Sequence, residues 1–153
     1  MATLQPYLTL SEKLGSLLTQ ITSGAIREVS IEYIGEVTCV DNRPLTLSVL
    51  KGMLTPILGE MVNFVNVPIH VKERSIKVRE SVRSEAEDFT NLITVHVKTS
   101  ETENLVAGTI FGKKDLRVVR INDFRLEAAT EGHVLLIYNI DTPGTIGAIG
   151  SCL

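Results

Sequence analysis

Five basic side chains, Lys113, Lys114, Arg117, Arg120 and Arg125, fall within thirteen residues of a 153-residue chain whose formal charge is −3. A guanidinium is a planar fork of donors that matches a carboxylate or a phosphate. Arg117 lies in an apolar-alternating run with Val119 and Ile121, so it is expected to share their strand face and start from a partly buried row. The same cations also suit a solvated edge that discourages sheet-to-sheet pairing. The other chemistry-bearing residues are dispersed. His70, His96 and His133 occupy three separate segments and read as surface or structural histidines. No Ser, Cys or Lys sits in an elbow or dyad context, so no catalytic residue is expected. Glu85, Glu87 and Asp88 form an acidic turn, and Cys39 and Cys152 lack metal-ligand spacing, so no metal site is expected.

Composition narrows the function classes further. The 15 Lys+Arg are outnumbered by 18 Asp+Glu, aromatics are 5% and Trp is absent. A nucleic-acid surface needs a positive excess and stacking rings, and this chain supplies neither. No apolar run approaches the ~20 residues of a membrane span, and no charged-then-apolar start marks a signal peptide. The expectation is one cytoplasmic domain, or one and part of another, with neither nucleic acid nor membrane as partner.

The elements that must position these residues divide early helices from late strands. Leu10, Leu14, Leu17, Leu18 and Ile21 recur at helical spacing over residues 8–22, and Gly24 follows as a terminator. Residues 27–34 alternate as a strand. Pro44 opens a second helix whose expected buried stripe is Leu47, Leu50, Leu54 and Ile57; Gly59 ends it, with Pro56 shortening its last turn. A third helix is expected from Asn66, acting as N-cap, to Arg74. From Ile76 the period becomes two, with turns at residues 84–88, 100–103, 112–115 and 122–123. The fold class is therefore α+β, an antiparallel meander with helices packed on one face.

The tail differs. Residues 134–140 are a nearly continuous apolar strand, followed by Asp141-Thr142-Pro143-Gly144 and a short helical pattern. That pattern cannot bury its own apolar face, so residues 132–153 are expected to open a second, incomplete domain. Gly144-x-x-Gly147-x-x-Gly150 is not the dinucleotide fingerprint, which needs Gly-x-Gly-x-x-Gly within a βαβ unit. Those glycines read as a turn and close helix packing.

Several stretches, in order, resemble the regulatory region of the long-form D-3-phosphoglycerate dehydrogenase family. They are Gln5-Pro6-Tyr7-Leu8-Thr9-Leu10-Ser11-Glu12-Lys13-Leu14-Gly15, Gly24-Ala25-Ile26-Arg27-Glu28-Val29, Val62-Asn63-Phe64-Val65-Asn66-Val67-Pro68, Lys72-Glu73-Arg74, Val106-Ala107-Gly108-Thr109-Ile110-Phe111-Gly112 and Asp141-Thr142-Pro143-Gly144-Thr145-Ile146-Gly147. The resemblance implies that residues 5–131 are the intervening, allosteric substrate-binding domain. It implies that residues 132–153 begin an ACT (ferredoxin-like) domain. The parent enzyme would oxidise 3-phosphoglycerate with NAD at the entry to serine synthesis. This chain, without the family's nucleotide loop and catalytic residues, would hold no cofactor and catalyse nothing.

Two sites carry over from the resemblance. The family holds a small anion, phosphate or 3-phosphoglycerate, on basic residues of the intervening domain where it meets an ACT domain. Arg117 matches one such position, and a second falls on Ala129, where Arg125 is near enough to substitute. The loop after the first ACT strand binds L-serine between subunits, and Asn139, Asp141 and Gly144 occupy it as a half-site. The implied partners are other copies of the chain and the parent's catalytic and ACT domains. Three alternatives stay open. One is a structural oligomerisation domain without a ligand; another is the related module of an L-serine dehydratase. The third is a small-molecule enzyme in which the basic strands and Glu85–Asp88 share a cleft.

Overall fold

A computed structural model describes residues 4–39, 41–84, 90–112 and 114–129. Helix α1 runs Leu4–Gln20, strand β1 Ile26–Gly35, α2 Asn42–Leu58, α3 Val67–Glu73, β2 Lys77–Arg83, β3 Asn91–Thr99, β4 Glu103–Phe111, β5 Asp115–Ile121 and β6 Phe124–Ala129. The α+β class, with helices on one sheet face, is observed. The acidic turn Glu85, Glu87 and Asp88, and the tail with Asn139, Asp141 and Gly144, lie outside the described residues.

Helix α1 starts four residues before the expected position. Pro6 falls in its first turn, where a missing N–H costs nothing. Tyr7, Leu10, Leu14 and Leu18 are buried on its sheet-facing side. Helix α2 opens at Asp41, whose carboxylate accepts from the Arg43 N–H at 3.1 Å and is thereby held below the usual carboxylate range. Pro56 lies inside α2 rather than shortening it. The buried side of α2 is also turned from the expected stripe: Leu45, Ser48, Val49, Gly52 and Met53 are buried with Leu50 and Leu54, while Ile57 is 44% exposed. The cause is the close crossing with α1. A Cβ on Gly52 would fall on the Glu12 carbonyl, and one on Gly15 would fall on the Val49 carbonyl. Small residues let the two backbones meet, so Ser48 and Gly52 join Leu50 and Leu54 on the buried side, and Ile57 alone of the expected stripe is left exposed.

The sheet has six strands in the order β2-β1-β3-β4-β5-β6. β3 to β6 form the expected antiparallel meander, with β1 joined antiparallel to β3. β2 departs from it, pairing parallel to β1 with Val29 beside Val78 and Tyr33 beside Val82. The long crossover through α2 and α3 brings the chain back in the same direction, which is what a parallel neighbour requires. Two turns fall where the sequence placed them. Gly112 has φ 62°, and Asn122 (φ 53°) accepts the Leu105 N–H on its side-chain oxygen at 2.8 Å.

One sheet face carries the core. Val29, Ile31 and Tyr33 face Val97, Val95 and Ile93 across β1 and β3, and Val95 and Ile93 meet Val106 and Gly108 on β4. Leu10 and Leu14 of α1 sit over Gly108, where any Cβ would collide with them. Helix α2 lies against α1, and α3 against α2, so the helices stack outward from one side of the sheet. The Tyr33 phenol pairs with Thr46 Oγ1 of α2 at 2.7 Å, and both residues are buried.

Candidate functional site

The basic strands lie on the other side of the sheet. Successive positions of β4 alternate: Val106, Gly108 and Ile110 take the helix side, and Ala107 and Thr109 the opposite side. Thr109 pairs with Arg117, and Ala107 with Arg120. Both arginines therefore share the face opposite the described helices although they are three positions apart on one strand. The register shifts between them, leaving Val119 as an extra, buried residue, a β-bulge. The bulge overturns the expectation that Arg117 shares its face with Ile121, because the alternation restarts at the bulge and Ile121 reaches the helix side.

The pairing with β6 completes the arrangement. Arg120 faces Arg125, and Arg117 faces Ala129. Three guanidinium-bearing positions thus occupy two adjacent strands on one face. Arg117 Nε donates to Asp115 Oδ1 at 2.9 Å and Nη2 to Oδ2 at 3.4 Å, with its side chain 35% exposed. Arg120 Nε donates to the Asn122 carbonyl at 2.6 Å, which anchors the guanidinium at the turn. Sequence reasoning counted Arg120 in the basic group but did not place it with Arg117; nothing in the local pattern announces the bulge that unites them.

Among the described residues the remaining candidates stay apart, and His133 lies outside those residues. His96 Nε2 is 3.8 Å from Glu103, which also meets Lys98 at 3.6 Å, and His70 Nδ1 is 3.7 Å from Glu73. Among the described residues no group of His, Cys, Asp and Glu is placed to hold a metal ion, and no helix is long and apolar enough to cross a membrane. A cavity of about 270 Å³ opens between the ends of α1 and α2 and the start of β1, lined by Thr19, Gln20, Thr22, Gly24, Ile26, Pro56 and Ile57. Among the described residues it has no ionisable lining group, so these offer neither an acid nor a base. The arrangement with defined chemistry is the arginine face, which suits an anion with several oxygens.

Comparison with known proteins agrees with the resemblance read from the sequence. The family model described as the D-3-phosphoglycerate dehydrogenase intervening domain matches residues 3–122. D-3-phosphoglycerate dehydrogenase of Methanocaldococcus jannaschii is 34% identical over 146 residues, 95% of this chain and 28% of its own length. The enzyme of that name from Synechocystis is 33% identical over 156 residues, covering 100% of this chain and 28% of the relative. That of Archaeoglobus fulgidus is 32% identical over 148 residues, 97% and 28%. The chain spans a little over a quarter of each of these relatives. With 120 of its 153 residues inside the matched region, the chain belongs to the D-3-phosphoglycerate dehydrogenase intervening-domain family.

Proposed function

We propose that this chain is the regulatory, anion-binding and oligomerising part of a D-3-phosphoglycerate dehydrogenase. On this reading the whole enzyme oxidises 3-phosphoglycerate with NAD in L-serine biosynthesis, in the cytoplasm. NAD and the catalytic residues belong to other parts of that enzyme. The glycine-rich stretch Gly144 to Gly150 lacks the spacing that seats a dinucleotide pyrophosphate. Phosphate or 3-phosphoglycerate would be held by Arg117, Arg120 and Arg125, and L-serine by the half-site Asn139, Asp141 and Gly144 once an ACT domain and a second subunit complete it. Residues 5–131 would form the intervening domain and 132–153 the start of the ACT domain.

The observation that carries the reading is the bulge at Val119, which, with the β5–β6 pairing, gathers three arginines on the face opposite the described helices. One observation favours the purely structural alternative: Asp115 already occupies the Arg117 fork. Calorimetry with inorganic phosphate and with 3-phosphoglycerate separates the two. A charge-assisted contact is worth ~1.5–3 kcal/mol when desolvated and less when half exposed, so Arg117→Ala or Arg120→Ala should weaken binding about tenfold. Asp115→Asn, which frees the fork, should strengthen it. Binding that none of these changes alters, or no binding by the parent chain, would leave the structural reading in place.

A further inference from the structure

We propose that the connection between α2 and α3 is a self-association surface on which a second copy of this chain docks. Five of the eight large apolar side chains exposed among the described residues come from one stretch of thirteen residues. They are Ile57, Met61, Phe64, Val65 and Ile69, with Met61 at 74% and Val65 at 85%. Exposed apolar residues scattered singly are ordinary, and five gathered in one short stretch are not.

The stretch is not a slack loop. Asn63 Oδ1 accepts the N–H groups of Val65 and Asn66, both at 2.9 Å. Asn66 Oδ1 accepts the Asn63 N–H at 2.8 Å, and its Nδ2 donates to the Met61 carbonyl at 2.7 Å. Asn66 therefore differs from the N-cap expected of it, standing at the start of α3 without capping it and locking the preceding turn instead. Val62 and Val67, at either side, are buried at 4% and 0% exposure. Lys51 Nζ lies 5.0 Å from the centre of the Phe64 ring and 3.1 Å from Glu12 Oε1, which braces the ring from α2. A turn tied this way presents its apolar tips already ordered, so little further conformational freedom is lost on docking.

The charges at its ends point to a second copy as the occupant. Glu60 stands near the beginning of the stretch and Lys72 in the last turn of α3, and both are exposed. In a two-fold contact centred on the apolar tips, Glu60 of one copy would be set against Lys72 of the other, twice. Such an arrangement is complementary to its own rotated image, as an isologous contact requires. An anionic membrane would need a basic excess, and here Lys72 and Arg74 are matched by Glu60 and Glu73. The surface lies on the helix layer, away from the arginine face, so it does not depend on the anion site.

Sedimentation velocity of the chain over a range of micromolar concentrations tests the proposal. The parent chain should show a concentration-dependent species of twice the protomer mass or a multiple of it. Val65→Asp and Ile69→Asp, both at exposed positions, should halve that mass while leaving circular dichroism unchanged. Glu60→Lys alone and Lys72→Glu alone should each weaken association by about threefold or more, and the pair together should restore it. With Cys39 and Cys152 replaced by Ser, Val65→Cys should form a disulfide-linked pair on mild oxidation faster than Glu101→Cys. A parent chain monomeric throughout, an unchanged mass for Val65→Asp, or equal cross-linking at positions 65 and 101 would each overturn it. Association carried instead by the residues after 130 would appear as an unchanged mass for Val65→Asp.

Discussion

Arg120 of β5 and Arg125 of β6 stand directly opposite each other across an antiparallel pair of strands. Like charges so placed oppose sheet pairing, by up to about 1 kcal/mol at an exposed site. An oxyanion lying between the two guanidiniums would remove that repulsion and add contacts of its own. Phosphate should therefore raise the melting temperature above that in chloride at equal ionic strength. At ten times the dissociation constant the gain is ~1.4 kcal/mol, which for a chain of this size is roughly 3–6 °C. Arg120→Ala and Arg125→Ala should each abolish most of the difference. Identical melting in the two salts would count against anion binding at this pair.

Much of this arrangement was legible in the sequence, and the failures have definite causes. The three helices, the strands and the turns at Gly112 and Asn122 follow from local pattern and turn chemistry, which act over a few residues. Three features depend on distant partners and leave no local trace. The parallel pairing of β2 with β1 is decided by how the crossover returns. The buried side of α2 is decided by where α1 crosses it, at Gly15 and Gly52. The bulge at Val119 is decided by register against β4, and it alone determines that Arg117 and Arg120 share a face. The candidate residues were therefore readable one by one, while their meeting was not.

The α1–α2 crossing makes a stability prediction. Any Cβ at position 52 meets the Glu12 carbonyl, a backbone atom that cannot rotate away. Gly52→Ala gains helix propensity of up to about 1 kcal/mol, yet the two helices must separate to admit the methyl, at a cost of ~1–3 kcal/mol and above. A net loss of several degrees in melting temperature is expected. A variant as stable as the parent would mean that the helices part without cost and that the small-residue contact is not what fixes the α2 face.

Tyr33 gives the chain an alkaline limit. Burial, opposed only in part by its bond to Thr46, holds the phenol proton far above the ordinary value near 10. Below pH ~10 the residue is neutral in both the folded and the unfolded chain and contributes no pH dependence. Above it, the unfolded chain releases the proton and the folded chain retains it. Stability then falls by up to ~1.4 kcal/mol per pH unit as pH rises toward the folded value. Tyr7, whose proton is likewise held by burial, contributes to the decline with the same sign. Chemical denaturation between pH 8 and 11 should show this decline, and Tyr33→Phe should flatten it. At neutral pH the same variant should lose about 1 kcal/mol, because Thr46 is left without its buried partner. An unchanged alkaline slope in Tyr33→Phe would assign the effect to other groups.

The boundary proposed after residue 131 has its own test. Among the described residues the strands and helices close around one core whose buried members end at Ile121. It takes Leu10, Leu14 and Leu18 from α1, Leu45, Val49 and Met53 from α2, and Val29, Ile31, Tyr33, Ile93, Val95, Val97 and Val106 from the sheet. The family match likewise ends at residue 122. A chain ending at Glu131 retains every one of these contacts and both edges of the sheet, so it should unfold cooperatively with a melting temperature near that of the full chain. The anion-dependent rise in melting temperature should also persist, since Arg117, Arg120 and Arg125 all remain on strands it keeps. If the shorter chain loses cooperative unfolding, residues 132–153 supply part of the first domain's packing, and the division at 131 fails whatever the arginine face binds. If it folds but no longer responds to phosphate, the tail completes the anion site, and that site spans both units rather than belonging to the sheet alone.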